Sequence, residues 1–234
     1  MRISIVRVST YGSQFPTSPM GGNTPASAGA RVVPGHGRNN SGLATRYAIG
    51  FLAVIWAVQI INMLLGYQLV AFGVHPLDVS SLWHIATSPL IHGSMAHIMS
   101  NSVPGAIFVF LVALSGRRAF WEVTLIVGLI GGVGTWFFGG IGTSHVGASG
   151  LIYGWLAYLI IRGIFNRSFT QIILGLVLAF SYSGLIYGVF PTQVGVSWQA
   201  HLFGGIGGLV AGATITSDDP AELVAKRRQR QLGA

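Results

Sequence analysis

The 234-residue chain contains no cysteine, which removes disulfides, thiolate nucleophiles and cysteine-ligated metals from its chemistry. Charge is also scarce: 8% of residues are charged, against about 25% in an ordinary soluble domain. A chain so poor in charge, and 51% hydrophobic, cannot cover a water-facing surface, so lipid is the solvent for most of it. Only five carboxylates are present, Asp78, Glu122, Asp218, Asp219 and Glu222. No two of them face each other from different apolar segments, which leaves an aspartyl protease or a carboxylate proton relay without its parts. There is no His-Glu-x-x-His, so a zinc metalloprotease has no support. The only lysine, Lys226, is in the C-terminal tail, and a Ser-Lys dyad within the apolar segments is excluded.

What is present is apolar length. Residues 1–46 are rich in Gly, Ser, Pro and Thr and carry no sustained apolar run. They read as a disordered cytoplasmic tail rather than a secretory signal peptide. Six apolar segments follow, at 47–66, 94–115, 120–139, 148–165, 169–189 and 199–216. Each is about 18–22 residues, enough to span a hydrocarbon core of about 30 Å. The expected fold class is all-α: a polytopic membrane protein with six transmembrane helices over 47–216 and a basic cytoplasmic tail over 217–234.

Orientation follows from where the cations fall. With the N-terminus inside, all 13 Lys and Arg lie on the inner side, including the turns holding Arg117 and Arg118 and holding Arg162 and Arg167. The outer connections 67–93, 140–147 and 190–198 have none. Basic residues spread between apolar runs are a membrane-orientation pattern, not a nucleic-acid face. The first outer connection is long and apolar, with Leu69, Val70, Phe72, Leu77, Leu82, Trp83 and Ile85, and is expected to lie in the membrane interface.

Elimination leaves Ser, His, Asn and Tyr as reactive groups, and six of the seven histidines sit in or beside the outer half; His36 alone is in the N-terminal tail. Three constellations stand out. Gly147-Ala148-Ser149-Gly150-Leu151-Ile152-Tyr153-Gly154 opens the fourth segment. It leaves Ser149 uncrowded and puts Tyr153 one turn on, although Gly150 and Gly154 also fit a plain helix-packing motif. His92, His97 and Asn101 open the second segment. His97 and Asn101 share a face, which suits a polar site, interhelical hydrogen bonds or, with less to complete it, a metal. Ala200-His201, followed by Gly204 and Gly208, opens the sixth, where glycines on the His201 face allow close helix packing. The topology brings all three to one depth. A nucleophile, a base and oxyanion donors are what acyl transfer needs, but spacing alone does not say whether His97 or His201 is the base.

At these residues the chain resembles the rhomboid family of intramembrane serine proteases. The likeness covers about 47–216 and rests on Gly147, Ser149, Gly150 and Tyr153; on His92, His97 and Asn101; and on Ala200, His201, Gly204 and Gly208. It implies that Ser149 attacks the scissile carbonyl, that His201 takes its proton, that His97, Asn101 and the Ser149 backbone N–H hold the oxyanion, and that Tyr153 packs on His201. It further implies a lateral gate at 169–189 and 190–198. Where the family's first outer loop carries a Trp-Arg pair, this chain has Trp83-His84.

The resulting expectation is a serine endopeptidase that cuts the transmembrane segments of other membrane proteins near their outer end. It needs no cofactor and no metal, has the lipid bilayer and transmembrane substrates as its partners, and does not bind nucleic acid. A compact core with short tails suits a prokaryotic plasma membrane. The rival reading is a catalytically silent relative that binds membrane clients; a channel would need a polar path through the inner halves of the spans, which are apolar.

Overall fold

A computed structural model describes residues 40–233. Nearly all of the expected N-terminal tail, His36 included, lies outside the described residues. The architecture is helical. Helix α1 is Ser41–Leu64, α2 the single turn His84–Thr87, α3 Met95–Leu114, α4 Arg117–Phe138, α5 Ser149–Asn166, α6 Phe169–Ser181, α7 Trp198–Thr214 and α8 Ala221–Gln231. Among the described residues the only extended pairing is an isolated antiparallel bridge between Val74 and His145.

Each of the six apolar segments is helical, but they differ in how fully they qualify as spans. By length and composition α1, α3 and α4 can cross a membrane. Helix α6 together with the 3-10 segment Ser183–Val189 would make a fourth, bent by 67°. Helices α5 and α7 fall short for visible reasons. Helix α5 carries Arg162 and Asn166, and α7 is 17 residues long and rich in glycine. They also need lipid-facing surface least: α5 packs against α3, α4, α6 and α7, and α7 is held between α4 and α5.

Three boundaries depart from the sequence reading. Helix α1 begins at Ser41, inside the expected tail. The fifth segment is not one continuous helix but breaks at Tyr182, where Ser181, Ser183 and Gly184 weaken helix propensity. Arg162 is not in a turn: it lies on α5, buried at 3% exposure. Its Nε donates to Asp218 at 3.0 Å, its Nη1 to the Gly212 carbonyl at 2.9 Å and its Nη2 to Asp219 at 2.7 Å. Tyr158 also donates to Asp218, at 2.7 Å. A buried guanidinium is tolerated only with such partners. The cluster ties the stretch after α7 to α5, so the C-terminal segment is anchored and helical rather than merely a basic tail.

The first connection is a chain of short turns: 3-10 at Gln68–Phe72, Val79–Ser81 and Ser88–Leu90, with α2 between the last two. It leaves Phe72, Leu77, Val79, Leu82 and Trp83 exposed, as an interfacial loop would. His84 holds it together: a carbonyl only accepts, so the His84 Nδ1–H donates to the Gly73 carbonyl, at 2.7 Å. On α1, Asn62 fastens the same loop, donating to the His92 carbonyl and accepting from the Leu69 N–H, both at 3.0 Å.

Candidate active site

Three helix ends meet at an open cavity of about 920 Å³, lined among others by His97, Asn101, Ser149, Tyr153, Leu185 and His201. Ser149 is the first residue of α5. Its hydroxyl therefore sits over a helix N-terminus, where the first N–H groups have no intrahelical acceptor and the dipole favours negative charge. His201 is in the first turn of α7, whose start is capped by Ser197 accepting from the Ala200 N–H.

The Ser149 Oγ and His201 Nε2 are 2.8 Å apart. The other ring nitrogen, Nδ1, is 2.9 Å from the Gly188 carbonyl. Since a carbonyl cannot donate, Nδ1 bears the hydrogen, and Nε2 presents its lone pair to the Ser149 hydroxyl. Tyr153 stacks on the imidazole, with ring centroids 4.1 Å apart and planes 8° apart. Its own hydroxyl donates to the Leu185 carbonyl at 2.8 Å. Both rings are thus fixed by backbone carbonyls of the 3-10 segment that follows α6. These carbonyls escape a sequence reading because any residue can supply one. Gly188 is more telling, since a Cβ there would overlap the Tyr153 hydroxyl and lie 2.9 Å from His201 Nδ1.

Opposite, Ser94 caps α3 by accepting from the His97 N–H at 3.1 Å. His97 and Asn101 face Gly147, where a Cβ would stand 2.5 Å from His97 Nε2 and 3.6 Å from Asn101 Nδ2. Gly147 has φ +116°, a conformation side chains resist, so glycine is required there twice over. Asn101 is buried, and its Nδ2 has no hydrogen-bond partner. An orphaned buried donor ordinarily costs about 1–3 kcal/mol, and this one lies in the lining of the cavity that also holds Ser149. His92 lies behind His97, ring centroids 5.0 Å apart, and its Nε2 accepts from the Ala148 N–H at 3.4 Å. Among the described residues no three His, Asp or Glu groups come together as metal ligands.

Helices α5 and α7 touch backbone to backbone. A Cβ on Gly204 would overlap the Gly150 carbonyl, and one on Gly208 the Gly154 carbonyl. Of the ten residues singled out by the sequence, His97, Asn101, Ser149, Tyr153 and His201 line the cavity, Gly147 and His92 lie against His97, and Gly150, Gly204 and Gly208 lie along the contact between α5 and α7.

Burial pushes the His92 imidazole down to about 4, with nearby His97 acting in the same direction. In the unfolded chain it titrates near 6.5. Between those values the unfolded state holds more protons, so stability falls as pH drops below about 6.5 and keeps falling until about 4. The loss should reach about 2 kcal/mol by pH 5. Melting curves from pH 7 to 5 should show this, and the slope should flatten in His92→Gln; an unchanged slope in that variant would assign the acid sensitivity elsewhere.

A family model described as the rhomboid domain matches residues 79–218. An uncharacterized protein of Mycobacterium tuberculosis, Rv1337, is 38% identical over 191 residues, covering 78% of this chain and 80% of its own length. An uncharacterized Mycobacterium leprae protein, ML1171, is 38% identical over 177 residues, 72% and 70% of the two chains. A Bacillus subtilis protein named "Putative rhomboid protease YdcA" is 29% identical over 138 residues, 55% of this chain and 64% of that one.

Proposed function

The chain belongs to the rhomboid family, and from that premise we propose that it is an intramembrane serine endopeptidase working through a Ser149–His201 dyad. The observation that carries this reading is the 2.8 Å Oγ–Nε2 contact together with the Gly188 carbonyl that sets the tautomer. Base and nucleophile are within the 2.6–3.2 Å at which a proton passes. The base has an orienting partner, although a neutral carbonyl replaces the carboxylate of a triad.

In the proposed sequence His201 Nε2 takes the hydroxyl proton as Ser149 Oγ bonds to the scissile carbonyl carbon. The oxyanion that forms accepts hydrogen bonds from the Ser149 backbone N–H, Asn101 Nδ2 and His97. The C–N bond then breaks, and the leaving amine takes the proton from His201. Water, deprotonated by the same imidazole, releases the acyl group and restores the serine. Six spans are proposed, with α5 and α7 crossing inside the bundle, both termini on the cytoplasmic side of a bacterial plasma membrane and the dyad near the outer face. Substrates are membrane proteins cut near the outer end of a transmembrane segment, at small residues where the helix unwinds readily. Domain limits of 47–216 for the membrane core and 217–234 for the C-terminal tail belong to the same proposal, as does the gate at 169–189 and 190–198.

The test is an activity-directed fluorophosphonate applied to the full chain in detergent, alongside a membrane-anchored reporter substrate. The expected result is one adduct, on the Ser149 Oγ, and reporter cleavage that the adduct blocks. An unlabelled serine in well-folded protein, with no cleavage of any reporter, would sink the reading.

Asn101 provides a graded check. Removing one oxyanion donor typically costs about 10²–10³ in turnover, so Asn101→Ala should lose that much. It should leave the fold intact, because the Nδ2 it removes has no hydrogen-bond partner. Normal turnover in Asn101→Ala would make the residue a packing group.

A further inference from the structure

At the end of α5 remote from Ser149, a cleft of about 250 Å³ opens against α8. It is lined by Ile164, Phe165 and Arg167 on one side and by Leu223, Lys226, Arg227 and Arg230 on the other. Arg227 donates to Asp219. Among the described residues the side chains of Arg167, Lys226 and Arg230 form no ion pair. Four cations therefore face one small space with a single carboxylate to offset them.

The chain holds little counter-charge to spare. Of its five carboxylates, Asp78 is engaged by Ser80, Glu122 by Arg118 and Ser217, and Asp218 and Asp219 by Arg162. Only Glu222 remains, in the first turn of α8. It stands four residues before Lys226 and forms no ion pair with it; even with it, the four cations of the cleft outnumber the carboxylates beside them, which leaves room for an anion from outside. The lining also indicates what kind of anion. Ile164 is 63% exposed and Phe165 38%, and they continue along the flank into Phe169 at 76%. A free phosphate has no use for that apolar strip, whereas a lipid brings a phosphate and its acyl chains to one depth.

We propose that this cleft binds an anionic phospholipid, the cations taking its phosphate headgroup and Ile164, Phe165 and Phe169 its acyl chains. Bound there, the lipid would bridge α5 to α8 from outside, as Asp219 bridges them from inside through Arg162 and Arg227. The proposal needs the bundle to sit in a bilayer and does not depend on the dyad.

The test uses the full chain in nonionic detergent, titrated with dioctanoyl phosphatidylglycerol, dioctanoyl phosphatidylcholine or glycerol 3-phosphate. Retention is read by native mass spectrometry and stability by melting temperature. Phosphatidylglycerol should be retained and raise the melting temperature; the other two should do neither at equal concentration. Each cation near an anionic lipid is worth about fivefold in affinity, so Arg167→Gln/Lys226→Gln/Arg230→Gln should bind about 100-fold more weakly. Arg46→Gln/Arg117→Gln/Arg228→Gln, which removes equal charge away from the cleft, should bind as wild type. If the lipid-free triple variant melts lower, Arg230→Gln alone should still bind about fivefold more weakly. Ser149→Ala should bind as wild type, which separates this proposal from the proteolytic one. Equal loss in the control triple would show a diffuse surface field and overturn the site. Equal binding of glycerol 3-phosphate would make it a phosphate site, and no preference over phosphatidylcholine would leave no anion site at all.

Discussion

Ser149→Ala is expected to abolish reporter cleavage and fluorophosphonate labelling while leaving the melting temperature nearly unchanged. Loss of a serine nucleophile costs on the order of 10⁶ in turnover where nucleophile and base act as a unit, which puts residual activity below ordinary detection. The structural consequence is small by comparison. Only the hydroxyl and its contact with His201 Nε2 are lost, a hydrogen bond worth about 1 kcal/mol. His201 keeps its Gly188 anchor and its stacking on Tyr153, and alanine begins a helix without strain. Measurable cleavage by a well-folded Ser149→Ala protein would remove the mechanism, whatever the fold.

That separation between chemistry and scaffold explains what could be read from the sequence. Side chains able to do chemistry are conspicuous in an apolar chain: Ser149, His97, Asn101 and His201 stand out because nearly everything around them is aliphatic or glycine. The periodicity of helices then says which of them share a face. The backbone is silent in sequence. The carbonyls of Gly188 and Leu185, which orient His201 and Tyr153, come from a segment expected to be continuous helix, where those carbonyls would have bonded along the helix. The break at Tyr182 frees them, and residue order alone does not place such a break.

Arg162 shows a second limit. Counted by charge it is expected among the cations that mark one side of a membrane. Its burial against Asp218 and Asp219 depends on how the chain turns back after α7, a tertiary fact. The same turn makes the C-terminal segment part of the structure. Asn62 is similar: a polar residue in a mostly apolar helix, it proves to be the peg that holds the loop before α3.

The glycines of α7 permit a prediction that involves no chemical group. Gly204→Ala should cost activity about 100-fold or more and lower the melting temperature, although alanine favours a helix by about 1 kcal/mol over glycine. The added methyl would overlap the Gly150 carbonyl, and non-bonded atoms settle at about 3.5–4.0 Å, so α7 must retreat from α5 by on the order of 1 Å. Overpacking of this kind costs about 1–3 kcal/mol. His201 rides on α7 and Ser149 on α5, so the same retreat stretches the 2.8 Å contact beyond proton-transfer range, and a misplacement of about 1 Å can cost 10²-fold. Gly205 is the internal control. A Cβ there meets nothing within 4 Å, so Gly205→Ala should keep full activity and melt at the same temperature or slightly higher. Equal behaviour of the two variants would mean that α5 and α7 do not meet at Gly150 and Gly204, and the dyad would lose the contact that brings its two halves together.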